Sequence, residues 1–173
     1  LKRAKIPIGH GLERLCSYTE YVFRYGFTPG TSSVDFRWEP VRSEHREVFA
    51  PEIQTVGVLV RTRTADGEPL MISEDIIPRP VLGPEFQVEY LGESLFAYLQ
   101  KRGVDLAYSE MRLTAAVADA SAARRLGVDV GSPLLVIDET YFNRKNQAIL
   151  VSQNAYRVDR WEFKLCRTRA DHR

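Results

Sequence analysis

The chain has 173 residues, 44% of them hydrophobic and 27% charged, with a formal net charge of +1 and a pI near 8.0. Those values describe one ordinary folded domain and exclude both an acidic disordered tail and a broad basic face for nucleic acid. Two cysteines (Cys16, Cys166) and three scattered histidines (His10, His45, His172) signal neither a disulfide framework nor a metal site, and no apolar run approaches the roughly 18 residues of a spanning helix. The expectation is a protein of the reducing cytoplasm, without metal, cofactor or membrane partner.

Residues 1–11 mix Lys2, Arg3 and Lys5 with Pro7, Gly9 and Gly11, show neither helical nor strand period, and read as a linker. The chain opens on Leu1 rather than methionine, so the linker is expected to lead from a further N-terminal part. Ser17-Tyr18-Thr19-Glu20 has the form of a capping box and starts a helix that ends before Gly26. The start of that helix, with its unpaired N–H groups and hydroxyls, is a candidate anion site. A strand is expected over 31–40, with Val34, Phe36 and Trp38 on one face, then a short helical or irregular piece over 43–49.

The central hairpin runs over 53–77 and turns at Asp66-Gly67, a dipeptide that tolerates positive φ. Residues 81–90 read as a loop broken at Gly83-Pro84 and expected to sit over a site. A helix follows over 94–102, capped at Ser94 and closed by Gly103. Next come a strand over 106–118, a short helix over 119–126, and a last hairpin of 133–143 and 148–163. The order is mainly antiparallel hairpins with helices on one side, hence α+β.

The register of the central hairpin decides what its charges do. Val58, Val60 and Thr62 alternate with Leu59, Arg61 and Arg63, so both arginines share a face. A plain two-residue turn sets Arg63 opposite Leu70 and Arg61 opposite Ile72. One bulge residue instead sets Arg63 opposite Met71 and Arg61 opposite Ser73, which gathers the polar groups on one face and is the favoured register. Two guanidiniums on one face suit an anion such as carboxylate or phosphate, unless Glu74, Asp75 or solvent meets them first. Arg61, Arg63 and the helix start Ser17, Tyr18 and Thr19 are therefore the candidate anion-binding residues.

Catalytic signatures are absent: there is no GxSxG, HExxH, phosphate-loop or GxGxxG pattern. Glu74-Asp75 and Asp138-Glu139 are neighbours in sequence, so each pair points to opposite faces of its strand and forms no carboxylate couple.

The run Arg61-Thr62-Arg63-Thr64-Ala65-Asp66-Gly67-Glu68-Pro69, then Glu93-Ser94-Leu95-Phe96-Ala97-Tyr98-Leu99, then Tyr141-Phe142, and finally Tyr156-Arg157-Val158-Asp159-Arg160-Trp161-Glu162-Phe163 carry a resemblance. In this order and spacing they resemble the UTRA domain, the effector-binding domain of GntR-superfamily transcriptional regulators of the HutC type, over nearly the whole chain from Ser17 on. The resemblance implies a chorismate-lyase-like α+β fold over 12–168, a tail over 169–173, and a homodimer. It also implies a missing N-terminal winged helix-turn-helix domain through which operator DNA is bound.

It further implies a small anionic metabolite (a sugar phosphate, organic acid or amino acid) held over the sheet by the Arg-x-Arg strand, the Ser17 helix start, Ser94 and Tyr156. Some sugar-phosphate-sensing members carry a glutamate, four residues after the hairpin proline, where this chain has Ser73. That departure implies a different preference for the neutral portion of the effector. The opposing functional class is a chorismate-lyase-like enzyme acting on a small carboxylate, and the third is a dimer-forming domain without a ligand. The expectation is a sensor that binds without turnover, since no acid, base or nucleophile constellation is legible.

Overall fold

The computed structural model of the chain describes residues 6–8, 14–91 and 94–163. In chain order they form β1 (Ile6–Ile8), α1 (Tyr18–Arg24), β2 (Pro29–Pro40), β3 (Thr55–Ala65), β4 (Glu68–Pro78), α2 (Arg79–Leu82), α3 (Leu95–Lys101), β5 (Tyr108–Val117), α4 (Ala120–Leu126), β6 (Pro133–Phe142), β7 (Ala148–Arg157) and β8 (Trp161–Phe163). Short 3-10 turns lie at Ser43–His45 and Val88–Leu91. The long strands make one six-stranded antiparallel sheet in the order β2-β3-β4-β7-β6-β5. The fold is the expected α+β. Among the described residues no helix is long and apolar enough to cross a membrane, and no group of histidine, cysteine and carboxylate side chains could hold a metal ion.

The turn between β3 and β4 holds Asp66 and Gly67 at φ 49° and 79°, and the ladder shifts between Arg63 and Thr64. This is the bulged register: Arg63 faces Met71 and Arg61 faces Ser73. The Asp66 carboxylate also accepts from the Thr28 N–H at 2.8 Å, tying the turn to the start of β2.

Helices cover both faces of the sheet rather than one. On the face of Leu59, Ile77 and Tyr141, α2, α3 and the segment between them bury Leu82, Phe86, Leu95 and Leu99, with Phe36 and Trp38 of β2 packed alongside. Each fully buried leucine there contributes about 1.5–3 kcal/mol. On the opposite face α4 packs Ala123 and Leu126 against Leu134, Ile72 and Ala155. The helices could not be assigned to one side from sequence because α4 interrupts the β5–β6 connection and returns beneath the sheet. Expected segment 81–90 is thus not a loop over a site: Phe86 is buried in the core and packs edge-on to Phe36, Trp38 and Tyr98.

Two further differences concern the ends. Residues 148–163 do not form one strand. Arg157 donates to both Asp159 carboxylate oxygens, at 3.1 and 2.7 Å, and folds the chain at 158–160, so that β8 leaves the main sheet. β8 pairs in parallel with β1, Ile6 facing Trp161 and Ile8 facing Phe163. The stretch read as a patternless linker over 1–11 therefore contains a strand at Ile6–Ile8; the remainder of 1–11, Gly92-Glu93 ahead of Ser94, and the tail 169–173 lie outside the described residues.

Candidate functional site

Antiparallel pairing stacks side chains into rows across the sheet, because partners directly opposite each other point to the same face. One row is Arg63, Met71, Tyr156 and Leu135; the next is Arg61, Ser73, Asn154, Ile137 and Leu113; the third is Leu59, Asp75, Ser152, Glu139 and Met111. The middle of this face is polar. Strand alternation alone would have filled it with aliphatic side chains, and here it holds two arginines, two carboxylates, two serines and an asparagine.

Over this floor the structure leaves a cavity of about 290 Å³. Its walls are α1 with the residues before it, the start of α3, and β8 with Trp161 and Phe163. All eight residues singled out in the sequence, Ser17, Tyr18, Thr19, Arg61, Arg63, Ser73, Ser94 and Tyr156, border it. No residue of 81–89 does.

The arginines differ in their surroundings. Arg61 Nη2 donates to Asp75 Oδ2 at 2.8 Å, and Ser152 Oγ donates to the other Asp75 oxygen at 2.5 Å. Asp75 thus does meet Arg61, in a buried pair rather than on an exposed face: their side chains are 10% and 6% exposed. Arg61 Nε is buried with no hydrogen-bond partner. Arg63 is 2% exposed, donates to Thr31 Oγ1 at 2.7 Å and to Thr19 Oγ1 at 3.0 Å, and lies over the Tyr18 ring at 4.8 Å. That stacking holds the guanidinium plane in place as well as adding attraction.

Ser17 and Ser94 serve their helices first. Ser17 Oγ accepts from Glu20 N–H and donates to Glu20 Oε2, while Glu20 accepts from Ser17 N–H, completing the capping box. Ser94 Oγ accepts from Ala97 N–H at 3.3 Å. Ser73 is the contrasting case: it is 1% exposed, and its hydroxyl has no hydrogen-bond partner. A buried, unsatisfied hydroxyl costs roughly 1–3 kcal/mol and is rare without a reason. Tyr18 and Tyr156 have their phenol pKa values pushed up by burial, so both remain neutral and present rings. Tyr18 stacks on Trp161 and Tyr156 tilts against it, at centroid distances of 6.0 and 5.4 Å.

Asp75, Ser152, Asn154, Glu139 and Tyr141 also line the cavity and were not singled out from sequence. Glu74-Asp75 and Asp138-Glu139 do point to opposite faces: Glu74 pairs with Arg42 and Asp138 with Arg112, while Asp75 and Glu139 face the cavity. Carboxylates from different strands thus come together where carboxylates adjacent in sequence cannot. Burial raises the Glu139 pKa above its usual value against the hydrogen bonds from Ser109 and Tyr141, and Asp75 adds to the rise.

The UTRA domain family model matches residues 24–162. Among curated relatives, the chain is 24% identical over 162 residues to the HTH-type transcriptional repressor NagR of Bacillus subtilis, covering 92% of this chain and 66% of that protein. It is 28% identical over 152 residues to the HTH-type transcriptional regulator Rv0792c of Mycobacterium tuberculosis, covering 85% of this chain and 55% of the relative. The chain therefore spans less than two thirds of the length of these relatives. The crystal structure of PhnF from Mycobacterium smegmatis superposes with a TM-score of 0.81 at 25% identity, covering 96% of this chain and 73% of that one. The separately solved effector domain of PhnF superposes with 0.78 at 25% identity, over 88% of this chain and 95% of that one. With the matched stretch taking in both arginines, the bulged hairpin, Ser94 and Tyr156, this chain belongs to the UTRA domain family.

Proposed function

We propose that this chain is the sensing domain of a GntR-family transcriptional regulator, and that a small anionic metabolite binds in the cavity over the sheet. The observation that carries this reading is the cavity floor itself, where Arg61 Nε and Ser73 Oγ are buried donors without partners beside the fixed guanidinium of Arg63. Preplaced donors of this kind bind an oxyanion without reorganisation cost. In this reading the domain acts by binding rather than turnover: the relatives are transcriptional regulators, and Asp75 is committed to Arg61 and Ser152.

In this reading operator DNA is contacted through an N-terminal winged helix-turn-helix domain; the names of the relatives, HTH-type transcriptional repressor and HTH-type transcriptional regulator, support a helix-turn-helix. In that reading 1–11 is the connection, 12–168 the sensing domain and 169–173 a tail, in a cytoplasmic protein. Calorimetric titration with inorganic phosphate, sugar phosphates and organic acids tests the anion site. Arg63→Ala is expected to weaken the best of these by tenfold to more than a hundredfold, since charged hydrogen bonds contribute about 1.5–3 kcal/mol each. Equal affinity in the variant would remove Arg63 from the site.

The same reading includes a homodimer formed through this domain. β5 is an edge strand of the sheet on which Leu113 and Val117 are 44% and 67% exposed, an apolar surface that a two-fold partner would cover. Light scattering at micromolar concentration is expected to return twice the chain mass, and Leu113→Glu with Val117→Glu to return the single mass. A single mass for the unmodified chain would contradict the dimer.

A further inference from the structure

Glu139 is 9% exposed, and its carboxylate accepts from Tyr141 Oη at 2.7 Å and from the Ser109 hydroxyl, both neutral donors. Among the described residues no lysine or arginine stands within ion-pair distance of it, and the charged group that does act on it is Asp75, of like sign. Asp75 differs in having Arg61. A buried carboxylate beside another and without a cation is costly to keep ionised, and the cost is relieved by whatever positive charge enters the cavity.

The placement of the charges matters as much as their number. Arg61 and Arg63 come from β3 and Glu139 from β6, three strands away in the sheet, so the floor is cationic on one side and anionic on the other. Between them stand Ser73, with its buried hydroxyl unpartnered, and Asn154, directly opposite Ser73 in the ladder. A second polar ligand atom midway would satisfy Ser73. A simple anion would neutralise only the β3 side and leave Glu139 as it is.

We propose that Glu139 is a cation-binding subsite and that the effector is a zwitterion, a small molecule with an ammonium group at Glu139 and a phosphate, phosphonate or carboxylate at Arg61 and Arg63. This rests on the reading of the cavity as the effector site. The ammonium donates to the Glu139 carboxylate, Tyr141 and Ser109 hold that carboxylate in position, and Met111 and Ile137 close the subsite on the β5 and β6 side.

The test compares matched probes by calorimetry on the 173-residue chain. One arm uses aminoalkyl, hydroxyalkyl and plain alkyl phosphates with chains of two to five carbons, and the other uses γ-aminobutyrate against butyrate. The amine is expected to bind at least about tenfold more tightly than the uncharged-tail analogues of its own arm, in one arm or both, and the arm that shows it identifies the anion. In Glu139→Gln, which keeps the shape of the side chain and removes its charge, that preference is expected to fall below about threefold, while the alkyl probe binds no more weakly than to the unmodified chain. Equal binding of the amine, hydroxyl and alkyl probes, or a preference that survives in Glu139→Gln, overturns the cation subsite and leaves the anion reading standing. Failure of every probe to bind overturns both.

Discussion

Replacing Asp75 with alanine is expected to destabilise the domain by about 3–5 kcal/mol, the cost of leaving a buried charge without its partner. Arg61 and Asp75 are 8% and 4% exposed and meet at 2.8 Å. Without the carboxylate the guanidinium stays buried, its Nε already unsatisfied, and Ser152 loses its acceptor as well. Removing both charges is a different experiment. Arg61→Met with Asp75→Leu is expected to recover most of the loss, because an apolar pair of similar volume avoids the desolvation that the ion pair has to offset. Urea unfolding of Asp75→Ala and of the double variant measures this directly. A loss below about 1 kcal/mol in Asp75→Ala would mean that water reaches Arg61 and the pair is in effect a surface one. The variant also carries a functional sign. Freed from Asp75, Arg61 is expected to hold inorganic phosphate more tightly in Asp75→Asn than in the unmodified chain.

The second large effect belongs to Trp161. It is 4% exposed, packs with Val22, Ala65 and Leu70, and touches the rings of Tyr18, Tyr156 and Phe163. Trp161→Ala removes the centre of that cluster and is expected to cost about 3–5 kcal/mol, through lost burial and the void left behind. α1 depends on the same contacts: it has 7 residues, too few to be stable by itself. The expected signature is therefore early loss of α1 amide protection in hydrogen exchange, ahead of the β3–β4 hairpin, together with the lower unfolding midpoint. Protection of α1 equal to that in the unmodified chain would show that the capping box, not Trp161, holds the helix.

The parts that were legible in the sequence are those governed by near neighbours. The bulged register followed from the parity of Leu70, Ile72 and Ile76 around Asp66-Gly67, and the α1 cap followed from the Ser17–Glu20 spacing, because both are decided within a few residues. The carboxylate side of the cavity was not legible. Asp75 and Glu139 become neighbours through β7, and nothing local to either strand announces that β4 pairs with β7 rather than with another strand. Segment 81–90 carried a usable signal that the glycine and proline obscured: Val81, Leu82, Phe86 and Val88 are too apolar for a solvated lid, and they plug the core instead. The bend between β7 and β8 depends on a side-chain clamp, Arg157 on Asp159, in a stretch whose apolar content otherwise reads as continuing strand.

The parallel pairing of β1 with β8 has a mechanical consequence. Parallel strands share their direction of slide, and each ladder hydrogen bond resists shear between them. Trp161 is at once a wall of the cavity and the pairing partner of Ile6. Where a guest shifts the β8 backbone along with this indole, β1 is expected to follow, because the ladder joins Ile6–Ile8 to Trp161–Phe163.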